Sequence, residues 1–222
     1  MNVLHDPKLE ELLASLHARS DAQVAAMDIE RERRANAALP PDEAAARLKA
    51  YLVDKLVAID RDKAAFCYQL CRAGNARRIV EIGTSYGVST LYLAAAVRDN
   101  GGGVVIGTEY EPQKARAARA HFEQAGLSRY IDLREGDLRE TLRQIDGPVD
   151  FMLMDIWISM ARPALELVSP HLRPGAMVVT DNTRQHRQTY ADYFAFLNDP
   201  ANRFRTMTLP FDGGLELSVR CP

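Results

Sequence analysis

The chain has 222 residues, 47% of them hydrophobic, and 28 lysines and arginines balance 30 acids to a formal net charge of −2. That length suits one domain with a helical extension and supports a proper core, and so even a charge argues against nucleic-acid binding by phosphate neutralisation, which needs a basic face. Three cysteines do not make a disulfide framework and point to a reducing cytoplasm; the opening "MNVLHDPKLEELLASLHARS" holds acids and no apolar core run, so no secretory signal is expected, and no stretch of about 18 uncharged apolar residues marks a membrane span.

Residues 1–75 are rich in alanine, leucine and charge and lack β-branched runs. Leu9, Leu12, Leu13 and Leu16 recur at i, i+3, i+4, i+7, the stripe of an amphipathic helix. "DAQVAAMDIERERRAN" continues helically until Pro40-Pro41 interrupts it. "PPDEAAARLKAYLVDKL" starts another helix with acids in its first turn. "DKAAFCYQLCRAG" is a third, ending at Gly74 as its C′ residue. Cys67 and Cys71 lie four apart on that helix; no second pair completes a metal site, so packing is the expected role. "RERR" (31–34) is flanked by Asp28 and Glu30 and interrupted by Glu32, which reads as a solvated helix face. The leucine stripe has three possible uses: packing on its own domain, covering a site, or joining a second subunit.

From Arg78 the pattern becomes strand–helix alternation. Strands are expected at 78–83, 103–109, 130–136, 149–155 and 176–182, with helices such as "STLYLAAAVRD" and "EPQKARAARAHFEQAG" between them. Such βαβ units build a parallel sheet. "RFRTMTLP" and "LELSVRC" are joined through "FDGG", too short for a crossover helix, and should form an antiparallel hairpin at one side. The predicted fold is a doubly wound α/β sheet of about seven strands, the last antiparallel. It is divided into a helical segment, 1–75, and a ligand-binding domain, 76–222.

"VEIGTSYGVST" (80–90) carries the most chemistry. A buried strand ends at Glu81-Ile82-Gly83, a turn with Gly83 and Gly87 follows, and a helix opens near Val88. Glycines there let backbone approach a ligand. The spacing E-x-G-x-x-x-G is neither the dinucleotide fingerprint nor a phosphate loop with its lysine. A site without a phosphate cradle suggests a nucleoside ligand lacking phosphates. Glu109, at the end of the second strand in "GTEYEP", suits two ribose hydroxyls; the alternative is a solvated loop acid. "FMLMDIWISM" (151–160) runs from a buried strand into Asp155 and the chain's one tryptophan, Trp157.

Together, "EIGTSYGVST", "TEYEP" and "MDIW…LRPGAMVVTDN" resemble a class I S-adenosylmethionine-dependent methyltransferase. More narrowly they are similar to the small O-methyltransferases that include catechol and caffeoyl-CoA O-methyltransferases. The resemblance covers about residues 60–222 and includes the terminal "LPFDGGLELSVR". It implies that Glu81 and the backbone of Gly83, Thr84, Ser85 and Gly87 line the methionine part of the cofactor. Ser89 would meet its carboxylate at a helix N-terminus. Glu109, beside Tyr110, would hold the ribose, Asp137 and Leu138 would lie along the adenine edge, and Trp157 would pack on the adenine. For Trp157 the alternative is helix or core packing. A homodimer is expected from the same resemblance.

Asp155 ends the fourth predicted strand and Asp181-Asn182 the fifth. Neighbouring strands lie about 4.8 Å apart, so three oxygen ligands reach one rim. That set suits Mg²⁺, and the resemblance implies a metal there. A divalent cation would stabilise a phenolate, since a free phenol has a pKa of about 10. The alternative is that Asp155 meets cofactor or substrate without metal. The related catechol-type enzymes carry a lysine base three residues after the first metal aspartate. Here that position is Ile158, and no lysine follows Lys114. Three explanations are open: the metal acidifies the substrate by itself, the substrate is not a catechol, or another base such as His186, in "DNTRQHRQTY", replaces the lysine, His186 being set against an ordinary loop histidine. Arg184 and Arg187 face the same choice between an acidic substrate and solvent. The expected function is therefore S-adenosylmethionine-dependent O-methylation of a small phenolic or catechol-like hydroxyl with Mg²⁺. The alternatives are metal-independent transfer to another O or N nucleophile, or a catalytically inactive cofactor-binding regulator.

Overall fold

Residues 3–222 are described by a computed structural model; Met1, Asn2 and the side chains of Glu30, Arg33, Pro41 and Asp42 lie outside the described residues. With them go Glu30 and Arg33 of the charged face around "RERR" and Asp42 among the acids expected in a first helical turn. Residues Leu4–Ala58 and Ile59–Pro222 form two compact units.

The first unit contains α1 (Pro7–Ala26), α2 (Ile29–Asn36) and α3 (Pro41–Leu52). Asp6 caps α1 by accepting from Leu9 N, with Pro7 preset for the first turn. The stripe Leu9, Leu12, Leu13 and Leu16 is buried as its spacing predicts. Asp28 caps α2 through Arg31 N at 2.8 Å, and Arg31 and Arg34 are exposed, as a solvated face requires. The chain after α3 is tied back to α1: Leu56 N donates to Gln23 Oε1 and Ala58 N to Ser20 Oγ.

The second unit begins with α4 (Arg61–Ala73), which packs on α5 (Val88–Asp99). The boundary expected at residue 75 therefore falls earlier, and α4 belongs with the sheet. Cys67 and Cys71 are buried on α4, both as free thiols. Gly74 follows the helix at φ −81°, and the left-handed residue is Asn75 at +47°. Asparagine takes that conformation more readily than most residues. At Gly74 a Cβ would stand 3.0 Å from Met177 Cε, so the glycine serves packing.

The strands are β1 (Arg78–Ile82), β2 (Val104–Glu109), β3 (Ile131–Glu135), β4 (Val149–Met154), β5 (Leu172–Asp181), β6 (Phe204–Leu209) and β7 (Leu215–Arg220). Their order is β3-β2-β1-β4-β5-β7-β6. β1 to β5 pair in parallel, and β7 runs antiparallel to both β5 and β6. The expected sheet and terminal hairpin are both present. β5 starts four residues before its predicted start at 176, because Leu172 pairs with Val149 ahead of a register shift; "RPG" reads locally as a turn. The helices between and after the strands include α6 (Pro112–Gln124), α7 (Leu138–Thr141), α8 (Ile158–Val168) and α9 (Ala191–Asn198).

Phe151 to Met154 are fully buried, which explains their uninterrupted apolarity: a central parallel strand is covered on both faces. One core joins β1, β4 and β5 to α7, α8 and α9. The strand order reverses between β1 and β4, and the crevice at the carboxyl ends of such a switch is where open α/β sheets bind ligands. No helix among the described residues is long and apolar enough to cross a membrane.

Candidate functional site

The switch point is built from backbone first. Asp155 N donates to Ile82 O at 3.0 Å, so the end of β4 closes onto the end of β1. Gly83 has φ +95°, and a Cβ there would stand 2.0 Å from Asp155 O. Gly87, φ +83°, is the N-cap of α5, and its Cβ would stand 2.4 Å from Phe122 Cε1. Both glycines are therefore demanded by the protein's own backbone and side chains, a reason beyond ligand approach. Between them Ser85 takes φ +50°. The turn leaves the first amides of α5 without intrahelical partners, a setting that favours an anion.

Glu81 holds this turn from inside. It is fully buried, and its Oε2 accepts from Thr84 Oγ1 at 2.8 Å and Thr90 Oγ1 at 2.5 Å. Burial pushes its carboxyl up, against the hydrogen bonds of Ser89, Thr90 and Thr84. Ser89, expected to meet a cofactor carboxylate, is buried in the first turn of α5. Oε1 has no hydrogen-bond partner among the described residues, and a buried acceptor in that condition suits a donor from a ligand. Thr90 closes the "VEIGTSYGVST" stretch, and no local sequence signal marks it as a partner of Glu81.

Glu109, at the end of β2, is nearly buried. Its Oε2 accepts from Ser85 N and its Oε1 from Glu111 N, each at 2.7 Å. The carboxylate thus fixes the β1 turn to the β2 turn, and each oxygen keeps lone-pair capacity for a hydroxyl. Tyr110 and Trp157 are exposed large side chains, at 59% and 40%. Core packing is excluded for Trp157, which stands at the N-cap of α8. Asp137 caps α7 and pairs with Arg139, whose hydrogen bonds hold its carboxyl down at about 2. Leu138 is buried in the core.

Asp155 and Asp181 follow and end β4 and β5 at adjacent positions, since Met154 pairs with Thr180. Burial pushes the Asp155 carboxyl up to about 8, with the Asp181 and Glu81 charges adding to the effect. Asp181 does not stand alone. Its Oδ1 accepts from Lys63 Nζ at 2.6 Å and from Asn182 N at 2.7 Å, and its Oδ2 from Asn182 Nδ2 at 3.3 Å. Lys63 comes from the first turn of α4 and is 2% exposed. It also meets Asp60 Oδ2 at 3.3 Å. Burial alone would lower the Lys63 pKa, but the hydrogen bonds and charges of Asp181 and Asp60 outweigh it and the net shift is upward. Lys63 is a cation here, and too well held to serve as a base.

This arrangement does not fit the divalent ion implied for Asp155, Asp181 and Asn182. Mg²⁺ sits at about 2.0–2.1 Å from its oxygens, and an ammonium already occupies the approach to Asp181 Oδ1. Asn182, φ +57°, turns its amide group to Asp181 and its Oδ1 towards Gly213, where a Cβ would stand 2.6 Å from it.

Ile158 opens α8 and packs against the core. His186 is half-buried in the turn after β5, where its backbone N donates to Asn182 O at 3.3 Å. Arg187 stacks 4.3 Å over the Phe194 ring. Arg184 and Gln185 both donate their backbone N–H to Gly213 O. With Pro210, Phe211 and Asp212 they line a cleft of about 720 Å³.

Residues 80–183 match the family described as a methyltransferase domain. The strand order and the switch-point crevice are those of a Rossmann-like fold shared with solved O-methyltransferases. Over part of its length the chain is similar to catechol and caffeoyl-CoA O-methyltransferases. It is 34% identical over 122 residues to a catechol O-methyltransferase of Niastella koreensis, covering 51% of each chain. It is 31% identical over 127 residues to one from Mycobacterium tuberculosis, covering 57% of each. A caffeoyl-CoA O-methyltransferase of Eucalyptus globulus is 26% identical over 175 residues, 74% of this chain and 68% of that one. The match thus spans a little over half the length of the first two curated relatives. In fold, an O-methyltransferase from Bacillus cereus, described in complex with SAH, superposes with a TM-score of 0.69 at 22% identity, covering 86% of this chain and 97% of that one.

Proposed function

We propose that the protein is an S-adenosylmethionine-dependent O-methyltransferase acting on a small-molecule hydroxyl of the phenolic or catechol-like class. The observation that carries this reading is the joint position of the Gly83–Gly87 turn, Glu109 and Asp155 at the carboxyl ends of β1, β2 and β4. The turn and Glu109 suit the methionine and ribose portions of the cofactor. Trp157 and Tyr110 offer exposed rings for its base. A cationic ligand such as the sulfonium would favour the carboxylate form of Asp155, which burial otherwise keeps protonated. In-line placement of methyl donor and acceptor provides much of the acceleration. The names of the relatives support the acceptor class.

Magnesium assistance is the competing account of how the acceptor oxygen is activated. It is favoured by the convergence of Asp155, Asp181 and Asn182 and opposed by Lys63 on Asp181. His186 is the proposed proton acceptor, placed in the turn entered through Asn182. The same proposal takes the protein to be a cytoplasmic homodimer, which light scattering tests for the subunit count.

The deciding experiment is calorimetric titration with S-adenosylhomocysteine, followed by transfer of labelled methyl to a panel of catechols and phenols, each with and without chelator. Tight binding with turnover supports the proposal. Binding without turnover on any acceptor favours the inactive regulator, and absence of binding overturns the cofactor reading.

A further inference from the structure

The cation at the reactive rim comes from a helix that precedes the sheet. Lys63 lies in the first turn of α4, facing the end of β5, with its side chain almost wholly withdrawn from solvent. Lysines are rarely buried to that degree without a partner. Here the partners are Asp181 at 2.6 Å and Asp60 at 3.3 Å. The Asp60 contact is local, at i, i+3. The Asp181 contact joins residues 118 apart in sequence, so the tertiary fold holds the ammonium at the rim.

We propose that the Lys63 ammonium is the resident cation of this site and takes the place of a divalent metal ion. The inference deepens the methyltransferase reading, because the rim it concerns is the one assigned to the acceptor. Three observations carry it. Nζ sits at hydrogen-bond distance from the oxygen that a metal would have to coordinate. The same oxygen also accepts from Asn182 N, and the second carboxylate oxygen from the Asn182 side-chain amide, so both oxygens of Asp181 already meet protein donors. A second cation within bonding distance of Asp181 would stand against a fixed like charge with little water to screen it. An ammonium carries three N–H donors. Asp181 and Asp60 account for two, so the positive charge at this rim is supplied by the chain itself, a task usually given to a hard metal ion.

The test uses the full chain and Mn²⁺ alone as probe, followed by electron paramagnetic resonance of the free ion, with and without saturating S-adenosylhomocysteine. The wild type is expected to leave Mn²⁺ free into the millimolar range while binding the nucleoside normally. Lys63→Met is expected to tighten Mn²⁺ binding by about a factor of ten or more, since it uncovers the carboxylate. Lys63→Met combined with Asp181→Asn should lose that gain, and Lys63→Arg should behave as wild type. Stoichiometric Mn²⁺ binding by the wild type that Asp181→Asn abolishes would overturn the inference, whatever the fate of the lysine variants. So would a folded, nucleoside-binding Lys63→Met protein that leaves Mn²⁺ free. Failure to bind S-adenosylhomocysteine would instead count against the methyltransferase reading, so the two results are separable.

Discussion

A Cβ on Gly83 would stand 2.0 Å from the carbonyl oxygen of Asp155. The first turn of the glycine motif and the acidic end of β4 are thus packed against each other. Gly83→Ala must relieve that overlap and adopt φ near +95°, so a loss on the order of 3 kcal/mol of stability is expected. Urea denaturation measures it. A variant with wild-type stability would show that the two strand ends move independently.

Thr90→Val removes one of two hydroxyl donors to Glu81 Oε2 while keeping the side-chain shape. A hydrogen bond to a buried carboxyl contributes on the order of 1 kcal/mol. The expected outcome is a lower urea midpoint of that order and weaker binding of S-adenosylhomocysteine, because Glu81 orders the turn. Thr84→Val alone should act similarly. The double variant should lose less than the sum, since both hydroxyls serve one oxygen. Full additivity would argue that the two act separately.

The raised carboxyl of Asp155 makes stability pH-dependent with a defined sign. Its ordinary value of 3.8 is pushed up to about 8 in the fold. Between those values the folded chain holds a proton that the unfolded chain has released, so stability falls as pH rises through that window. Glu81, also raised by burial, acts in the same direction. Thermal melting from pH 5 to pH 9 should therefore show a declining Tm in the wild type and a shallower decline in Asp155→Asn. Equal slopes would mean that Asp155 does not carry the effect.

Trp157 is the chain's one tryptophan and is 40% exposed at the start of α8. If its indole covers the adenine, saturating S-adenosylhomocysteine should shift its emission to the blue, and Trp157→Phe should remove the signal. Unchanged emission at a nucleoside concentration that calorimetry shows to be saturating would remove Trp157 from the cofactor site.

Much of this molecule is written locally. The period-two and uninterrupted apolar runs at 78–83, 103–109 and 149–155 are properties of single segments, as is the turn motif at 80–90. The short link before residues 215–220 forces a hairpin by itself. A strand end is also a local event, so Asp155 and Asp181 could be assigned to one rim once the sheet was inferred. The leucine spacing of α1 likewise required no knowledge of what it packs against.

Other features required the tertiary fold. The start of β5 at Leu172 depends on pairing with Val149, which no local turn signal reports. Glycine at positions 83 and 87 answers to Asp155 and Phe122, residues distant in sequence. Lys63 is the clearest case. It shares the buried face of α4 with Ala64, Cys67 and Cys71, and a lysine in such a stripe reads as an ordinary helix residue until its partner is known. That partner is 118 residues away. The residues at the carboxyl ends of the strands are determined by sequence pattern, because each strand announces its own end. The charge balance at those ends is determined by which helix the fold lays across them, because burial turns a distant ammonium and a carboxylate into an obligatory pair.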